Sequence, residues 1–189
     1  MSADEIAAAL RRRVPRNLSG GTRPAAVLVP LEERADGEHL VLTKRAEWLN
    51  HHRGQIAFPG GTIDRGDDGP LEAALRETYE EIGVRPDHVR ILGRLDQVTA
   101  GYDFVVTPFV GLIPSAYRFR VNPAETEEVF TVPIAALMEP GRLAVAERLS
   151  SGGEPVYHFY YEGRDIWGAT ARIIVQLLKV AYDYDVVHP

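Results

Sequence analysis

The sequence predicts an α/β fold in which helices pack on a mixed β-sheet. Several short apolar runs bounded by turn residues are typical of strands, and two longer segments repeat apolar residues at helical spacing. These candidates follow one another in mixed order, which favours a layered architecture. Of the 189 residues, 45% are hydrophobic, which is enough for one core. We therefore predict a single domain over residues 1–189, with a short helical extension at its N-terminus.

Charge and composition exclude several classes of function. Lys and Arg number 21 and Asp and Glu number 27, so the formal net charge is −6. Binding to nucleic acid is not expected, because it needs cations that neutralise phosphates. The chain has no cysteine, which excludes disulfides, Cys-based zinc sites and thiol nucleophiles. Apolar runs such as Ala25–Pro30 are far shorter than the ~20 residues of a membrane span. We expect a soluble cytoplasmic protein with no membrane partner.

The first part of the chain predicts a helix, a loop and a strand hairpin. Asp4–Arg13 is a short helix candidate, and the polar stretch Asn17–Thr22 with its paired glycines is a loop. The apolar run Ala25–Val29 is short enough to be a buried strand. Asp36-Gly37 is a hairpin signal, so Leu40–Thr43 is predicted to be the return strand.

The strongest helix signal comes after a glycine turn, Pro59-Gly60-Gly61. Gly69-Pro70 fits a helix start, because proline is tolerated in the first turn, and Asp67 or Asp68 is the expected cap. Gly83 fits the C-terminal stop. At about 100° per residue, four apolar side chains form one stripe. We predict that the buried face consists of Leu71, Leu75, Tyr79 and Ile82.

The remainder of the chain predicts four more strands and a final helix. The candidates are strands at Val89–Val98, Phe104–Ile113, Glu128–Val132 and Val156–Tyr161 and a helix at Ala169–Tyr182. The aromatic run Tyr157–Tyr161 has two interpretations, a platform for adenine or core packing, and strand alternation favours core packing. Trp167 is also predicted to pack in the core.

Three glutamates lie on the side of the predicted helix opposite its apolar stripe. Glu77 is three residues from Glu80 and four from Glu81, spacings at which like charges repel. One interpretation is a solvated acidic face. The other is a site for Mg²⁺ or Mn²⁺, because the Gly60-Gly61 turn can bring backbone carbonyls near the carboxylates and these ions prefer oxygen ligands.

The helix and its preceding turn resemble the Nudix box, G-x5-E-x7-R-E-U-x-E-E-x-G-U with U aliphatic. The chain has Gly61 and then Arg76-Glu77-Thr78-Tyr79-Glu80-Glu81-Ile82-Gly83-Val84. It departs in three ways: Thr78 stands at an aliphatic position, Asp67 or Asp68 stands at the early Glu, and fourteen residues rather than thirteen separate Gly61 from Arg76. The resemblance to the Nudix hydrolase family implies a Nudix-type α/β/α sandwich with a mixed β-sheet.

An upstream segment resembles the coenzyme A pyrophosphatase branch of that family. The branch pattern is L-L-T-x-R-S-x3-R-x3-G-x3-F-P-G-G, and the matching residues are Leu42, Thr43, Arg45, Gly54 and Phe58-Pro59-Gly60-Gly61. Ala46 replaces the serine and Asn50 replaces the second arginine, whose charge Arg53 is placed to supply. We call Leu42 to Gly61 the upstream motif.

The resemblance implies hydrolysis of the diphosphate of coenzyme A or its derivatives to 3′,5′-ADP and 4′-phosphopantetheine, with Mg²⁺ or Mn²⁺ as cofactor. Glu125 and Glu127 are further candidates for the general base. The implied site residues are Arg76, Glu80 and Glu128 for catalysis, Arg45, Arg53, Gly60 and Gly61 for substrate binding, and Glu77, Glu81 and Glu80 for the metal.

Two other functions stay open at this point. One is a Nudix hydrolase of another nucleoside diphosphate derivative, such as ADP-ribose, NADH or a dinucleoside polyphosphate. The other is a non-catalytic module that senses nucleotides. A sensor does not need all three glutamates, so their presence argues against this function. The sequence also leaves a homodimer open.

Overall fold

The structure is a computed structural model that describes residues 1–19, 23–46, 54–101, 103–146 and 155–184. The helices are α1 (Ala3–Arg11), α2 (Pro70–Ile82), α3 (Ile134–Leu137) and α4 (Gly168–Tyr182), with a 3-10 turn at Pro86–His88. The strands are β1 (Arg23–Arg34), β2 (Gly37–Arg45), β3 (Ile56–Ala57), β4 (Gly60–Thr62), β5 (Arg90–Arg94), β6 (Val98–Ala100), β7 (Phe104–Ile113), β8 (Thr126–Pro133), β9 (Leu143–Ala146), β10 (Val156–Tyr161) and β11 (Arg164–Trp167).

The main sheet is mixed, as predicted. Its order is β3-β2-β1-β7-β5, and β4, β6 and β8 pair with β1, β7 and β2 respectively. Strands β1 and β7 run parallel from the Arg23–Phe104 pair to the Glu32–Ile113 pair, whereas the other pairs of this sheet are antiparallel. Strands β9, β10 and β11 form a second, antiparallel sheet.

Helices cover both faces of the main sheet, which confirms the predicted sandwich. Because side chains alternate along a strand, Leu40 and Leu42 of β2 join the core under α1 and α4, while Val41 joins a separate cluster with Ile82 of α2. The predicted inward face of α4 is correct, since these residues are buried: Ile173, Ile174, Leu177, Leu178 and Ala181. Among the described residues, no helix is both long and apolar enough to cross a lipid bilayer.

The predicted buried face of α2 is wrong at three of its four positions, and only Ile82 is buried as expected. Leu71 and Leu75 are only half-buried, and Tyr79 is 44% exposed. The helix instead turns small and carboxylate-bearing positions toward the sheet: Ala73, Ala74, Thr78, Glu81 and Ile82 are buried. Ala73 and Ala74 pack on Ala26 of β1, and their small side chains permit a close approach that leucines would prevent.

The predicted start of α2 is also different in detail. Its N-cap is Gly69, with no side-chain cap, and Asp67 is bound by Arg76 instead. The predicted C-terminal stop is confirmed, since Gly83 adopts a left-handed conformation with φ of 74°. A side chain there would also meet Arg120, whose Cβ is 2.9 Å from an ideal Cβ on Gly83.

Two further predictions need correction. The strand expected at Val89–Val98 is divided into β5 and β6, because Asp96 between them binds the N-terminal segment: its carboxylate accepts the Arg16 amide N–H at 2.7 Å. Trp167 does not pack in the core but is 44% exposed at the end of β11. In β10 only Phe159 is fully buried, while Tyr160 faces outward.

Candidate active site

The glycine turn places bare backbone directly against the acidic side of α2. Strand β4 pairs with β1, with Gly61 opposite Ala26, and this fixes the turn in front of the helix. An ideal Cβ on Gly61 would lie 2.6 Å from the Glu77 carboxyl carbon, so a side chain larger than hydrogen would displace that carboxylate. The Gly60 N–H donates to Oε2 of Glu81 at 3.4 Å.

Three carboxylates converge beside this turn. Glu77 and Glu81 come from α2, and Glu125 comes from the turn before β8; one oxygen from each lies within 4.8 Å of the others. We call these three residues the carboxylate cluster. The turn that carries Glu125 is anchored to the end of α2, because the Asn122 N–H donates to the Glu81 carbonyl at 2.9 Å. Asn122 also donates its side-chain amide to Glu125 at 3.3 Å.

Burial makes the cluster costly to ionise. The Glu81 side chain is only 5% exposed, and this burial raises its pKa to about 8, against the favourable charge of Arg45 and together with repulsion from Glu77. Burial also raises the pKa of Glu77. Three convergent carboxylates fit a divalent cation that prefers oxygen ligands.

Arg76 connects the cluster to the loop that precedes α2. Its guanidinium donates two bonds to Asp67, at 2.9 and 3.0 Å, and one to the Thr62 carbonyl at 3.2 Å. It also donates to Glu77 at 2.9 Å and to Glu80 at 3.3 Å. These hydrogen bonds raise the pKa of Arg76 further, so the group stays charged and holds the Glu77 carboxylate in place.

Arg45, at the end of β2, lies next to the cluster. Its Nη1 is 3.7 Å from Oε1 of Glu81, and its buried Nε has no hydrogen-bond partner among the described residues. Two backbone hydrogen bonds join Arg45 to the residues just before β3: the Arg45 N–H donates to the Gln55 carbonyl at 3.0 Å, and the Gly54 N–H donates to the Arg45 carbonyl at 3.1 Å. Arg53 and Asn50 lie outside the described residues.

The structure does not bring every predicted site residue to the cluster. Glu80 is half-exposed and contacts Arg76. Glu127 pairs with Lys44 at 2.9 Å, and Glu128 pairs with Arg164 at 2.6 Å. Glu125, which the sequence offered only as a candidate base, is the acid that joins Glu77 and Glu81.

A family profile and curated relatives match most of the chain. A family profile for the NUDIX domain matches residues 21–150. The Nudix hydrolase NudL of Photorhabdus laumondii, whose activity is uncharacterized, is 37% identical over 166 residues, covering 87% of this chain and 88% of its own. NudL of Yersinia enterocolitica is 37% identical over 172 residues, covering 90% and 87% respectively.

Solved structures share the fold at low sequence identity. A MutT/nudix family protein from Enterococcus faecalis aligns with a TM-score of 0.59 and 17% identity, covering 92% of this chain and 66% of its own. An Ap4A hydrolase from C. elegans, solved as a binary complex, aligns with a TM-score of 0.51 and 21% identity, covering 60% of this chain and 82% of its own.

Proposed function

The chain belongs to the Nudix hydrolase family, and on that premise we propose that it cleaves the diphosphate of coenzyme A or its derivatives, with Mg²⁺ or Mn²⁺ as cofactor. The products are 3′,5′-ADP and 4′-phosphopantetheine. The observation that carries this proposal is the position of the upstream motif, whose Arg45 lies 3.7 Å from Glu81 of the carboxylate cluster.

The contacts of the upstream motif support a role in substrate binding. Strand β2 pairs with β3 at Thr43–Ala57 and Lys44–Ile56, and the Thr43 hydroxyl donates to the Ala57 carbonyl at 3.1 Å. These contacts fix Arg45 at the end of the hairpin with a buried Nε that lacks a partner among the residues described. The side chain as a whole is 31% exposed, so the outer nitrogens of its guanidinium can donate to a phosphate oxygen of the substrate.

The carboxylate cluster is the proposed metal site. Glu77 and Glu81 are the ligands proposed from the sequence, and Glu125 joins them on geometry. A divalent ion held by these carboxylates would neutralise the diphosphate and lower the pKa of a bound water. Glu81 must release its proton before it binds the ion, because its pKa is raised to about 8. Arg76 orients Glu77 through the 2.9 Å bond.

The proposed catalytic roles of Glu80 and Glu128 rest on different observations. Glu80 stays the next candidate ligand, because Arg76 donates to both its carboxylate and that of Glu77. Glu128 stays a candidate base by its place in the chain, three residues after Glu125. Glu80→Gln and Glu128→Gln separate these roles, since loss of a ligand weakens metal affinity whereas loss of a base lowers kcat at saturating metal.

A substrate panel tests the proposed reaction. We would measure kcat/KM for coenzyme A, dephospho-coenzyme A, ADP-ribose and NADH under one metal condition and identify the products by mass. Coenzyme A is expected to be the best substrate, with dephospho-coenzyme A well tolerated because Asn50 replaces an arginine of the branch pattern. If ADP-ribose or NADH exceeds coenzyme A by about tenfold, about 1.4 kcal/mol in the transition state, the proposed substrate is wrong.

Substitutions test the cluster and Arg45 separately. Glu77→Gln and Glu81→Gln are each expected to lower kcat by about 100-fold or more while the fold is retained. Arg45→Ala is expected to raise KM by about tenfold through loss of a charged phosphate contact. The matched control is Arg85→Ala, whose guanidinium is exposed and pairs with Asp87. Near-normal turnover of a folded Glu77→Gln/Glu81→Gln double variant would refute the metal site.

A further inference from the structure

One asparagine on the turn before β8 has every one of its polar groups in a hydrogen bond. The Asn122 N–H donates to the Glu81 carbonyl at 2.9 Å. Its backbone carbonyl accepts the N–H groups of Glu125, at 3.1 Å, and of Thr126, at 2.9 Å. Its side-chain oxygen accepts the Ala124 N–H at 3.1 Å, and its side-chain nitrogen donates to Oε1 of Glu125 at 3.3 Å. Two of these partners, Glu81 and Glu125, belong to the carboxylate cluster.

The backbone that carries Glu125 is fixed by a tight turn. The segment Asn122-Pro123-Ala124-Glu125 has asparagine at its first position and proline at its second, which is typical of a type I β-turn. The Glu125 N–H closes this turn by donating to the Asn122 carbonyl. Asn122 joins the turn to the end of α2, and the Ala46 N–H joins it to the end of β2 by donating to the Glu125 carbonyl at 3.0 Å. Only the side chain of Glu125 therefore remains to be oriented.

The partners of the Asn122 amide decide which of its two ends faces the cluster. A backbone N–H can only donate, so the side-chain atom that contacts the Ala124 N–H must be the oxygen, and the nitrogen then faces Glu125. An amide nitrogen also can only donate, so the Glu125 oxygen that it contacts acts as an acceptor. A carboxylate that binds a metal ion must likewise offer its oxygens as acceptors. The turn therefore presents Glu125 in a form that suits a ligand.

The carboxylate of Glu125 depends on Asn122 for its orientation. Arg76 holds the Glu77 carboxylate at 2.9 Å, and Arg45 lies 3.7 Å from that of Glu81. Glu125 stands on a turn, and the described part of the chain gives its carboxylate one hydrogen bond, from Asn122. A glutamate side chain without a partner samples several rotamers, only some of which bring its oxygens to the cluster. Loss of a group that orients a metal ligand typically lowers metal affinity by about 10- to 100-fold.

We propose that Asn122 is a positioning residue of the metal site, which orients Glu125 as a ligand beside Glu77 and Glu81. The proposal rests on the metal site of the proposed function. Asparagine suits this role because its amide combines an acceptor for the Ala124 N–H with a donor for Glu125. Aspartate has no donor, and serine has a single polar atom that cannot reach both partners. Asn122 is not itself a ligand and acts through Glu125.

The test separates the two ends of the amide. Binding of Mn²⁺ alone to the metal-free chain is measured by calorimetry, and stability is measured by urea denaturation in the presence of a chelator. Asn122→Ser keeps an acceptor for the Ala124 N–H but leaves Glu125 without a donor. We expect it to weaken Mn²⁺ binding by about tenfold or more, with a urea midpoint close to that of wild type.

Two more variants complete this comparison. Asn122→Ala loses both side-chain contacts, so it should weaken Mn²⁺ binding and lower the urea midpoint as well. The matched control is Asn17→Ser, because the Asn17 side chain accepts from Arg94 at 2.9 Å and contacts none of the three carboxylates. Asn17→Ser should bind Mn²⁺ as wild type does. Wild-type affinity for Mn²⁺ in a folded Asn122→Ser variant would refute the positioning role.

A double variant shows whether Asn122 acts through Glu125. In a Glu125→Gln background, Asn122→Ser should change Mn²⁺ affinity by less than about twofold, because the ligand that it orients is already lost. An equal loss of affinity in both backgrounds would mean that Asn122 supports the site in general and does not position Glu125.

Glu77→Gln separates this proposal from the proposed function. If Asn122→Ser binds Mn²⁺ as wild type does while Glu77→Gln binds it weakly, the positioning role is wrong and the metal site stands. If Glu77→Gln also binds Mn²⁺ as wild type does, the metal site is wrong, and the role of Asn122 fails with it. Because no substrate is present in these measurements, a failure to hydrolyse coenzyme A would leave the role of Asn122 intact.

Discussion

Replacing Glu81 by glutamine should stabilise the metal-free protein at neutral and alkaline pH. Glu81 is nearly buried, and its pKa rises from an ordinary 4.5 to about 8 because burial disfavours its charged form. Between these two values the folded chain holds a proton that the unfolded chain has released. Raising the pH therefore favours unfolding, and the wild type loses stability across this window. Glutamine has nearly the same shape and no proton to lose, so the variant should not show this loss.

The size of the effect follows from the linkage of protons to folding. One group that keeps its proton only in the folded state changes the free energy of unfolding by about 1.4 kcal/mol per pH unit. Between pH 5 and pH 7 the wild type should therefore lose about 3 kcal/mol relative to Glu81→Gln. Above the folded pKa of about 8 the difference should level off, because both folded and unfolded Glu81 are then ionised.

The assay is urea denaturation in the presence of a chelator at several pH values, for wild type, Glu81→Gln and Glu80→Gln. Glu80 lies on the same helix, but its side chain is 49% exposed, so its substitution should leave the pH dependence of wild type intact. Parallel stability curves for wild type and Glu81→Gln would refute the argument that burial controls this carboxylate. Turnover provides the second measurement, since the same variant should gain stability and lose activity.

Three further substitutions test other parts of the site. Gly61→Ala should lower kcat about tenfold or more with a nearly unchanged melting temperature, because its Cβ would lie 2.6 Å from the Glu77 carboxyl carbon and displace that carboxylate; wild-type kcat would contradict this. Arg76→Lys should lower metal affinity or kcat by about 10- to 100-fold, measured by metal titration of activity, since lysine lacks the planar fork. In urea denaturation, Ala73→Leu should lower the free energy of unfolding by about 1–3 kcal/mol and Tyr79→Ser by less than about 0.5 kcal/mol. A larger loss for Tyr79→Ser than for Ala73→Leu would mean that the apolar stripe is the buried face after all.

Much of the fold could be predicted because its signals are local. Phe104–Ile113 and Val156–Tyr161 are strands over the ranges that their apolar runs indicated. The prediction of the buried face of α4 is correct because that helix packs on the core along one continuous apolar stripe. The break between β5 and β6 could not be predicted, because it depends on Asp96 binding Arg16, which is 80 residues away in the chain.

The position of Glu125 at the cluster also depends on a contact that the sequence does not reveal. Its turn is fixed by the Asn122 N–H, which donates to the Glu81 carbonyl at the end of α2. From the sequence alone Glu125, Glu127 and Glu128 are three neighbouring acids, and strand alternation cannot decide among them because Glu125 precedes β8. Only the tertiary contact shows which one reaches Glu77 and Glu81.

The error on α2 has a physical cause that supports the assignment of the site. Hydrophobic periodicity assumes that a helix buries its most apolar face, but α2 buries Glu81 and leaves Tyr79 44% exposed. Burying a carboxylate is unfavourable, and the same burial raises the pKa of Glu81. A fold keeps such an arrangement where function requires it and offsets it elsewhere. The same orientation packs Ala73 and Ala74 closely on Ala26 of β1. The exposure of the predicted apolar stripe and the formation of the carboxylate cluster therefore have one cause, the orientation of α2. This orientation holds Glu81 beside the glycine turn and makes the fold less stable than burial of the apolar stripe would.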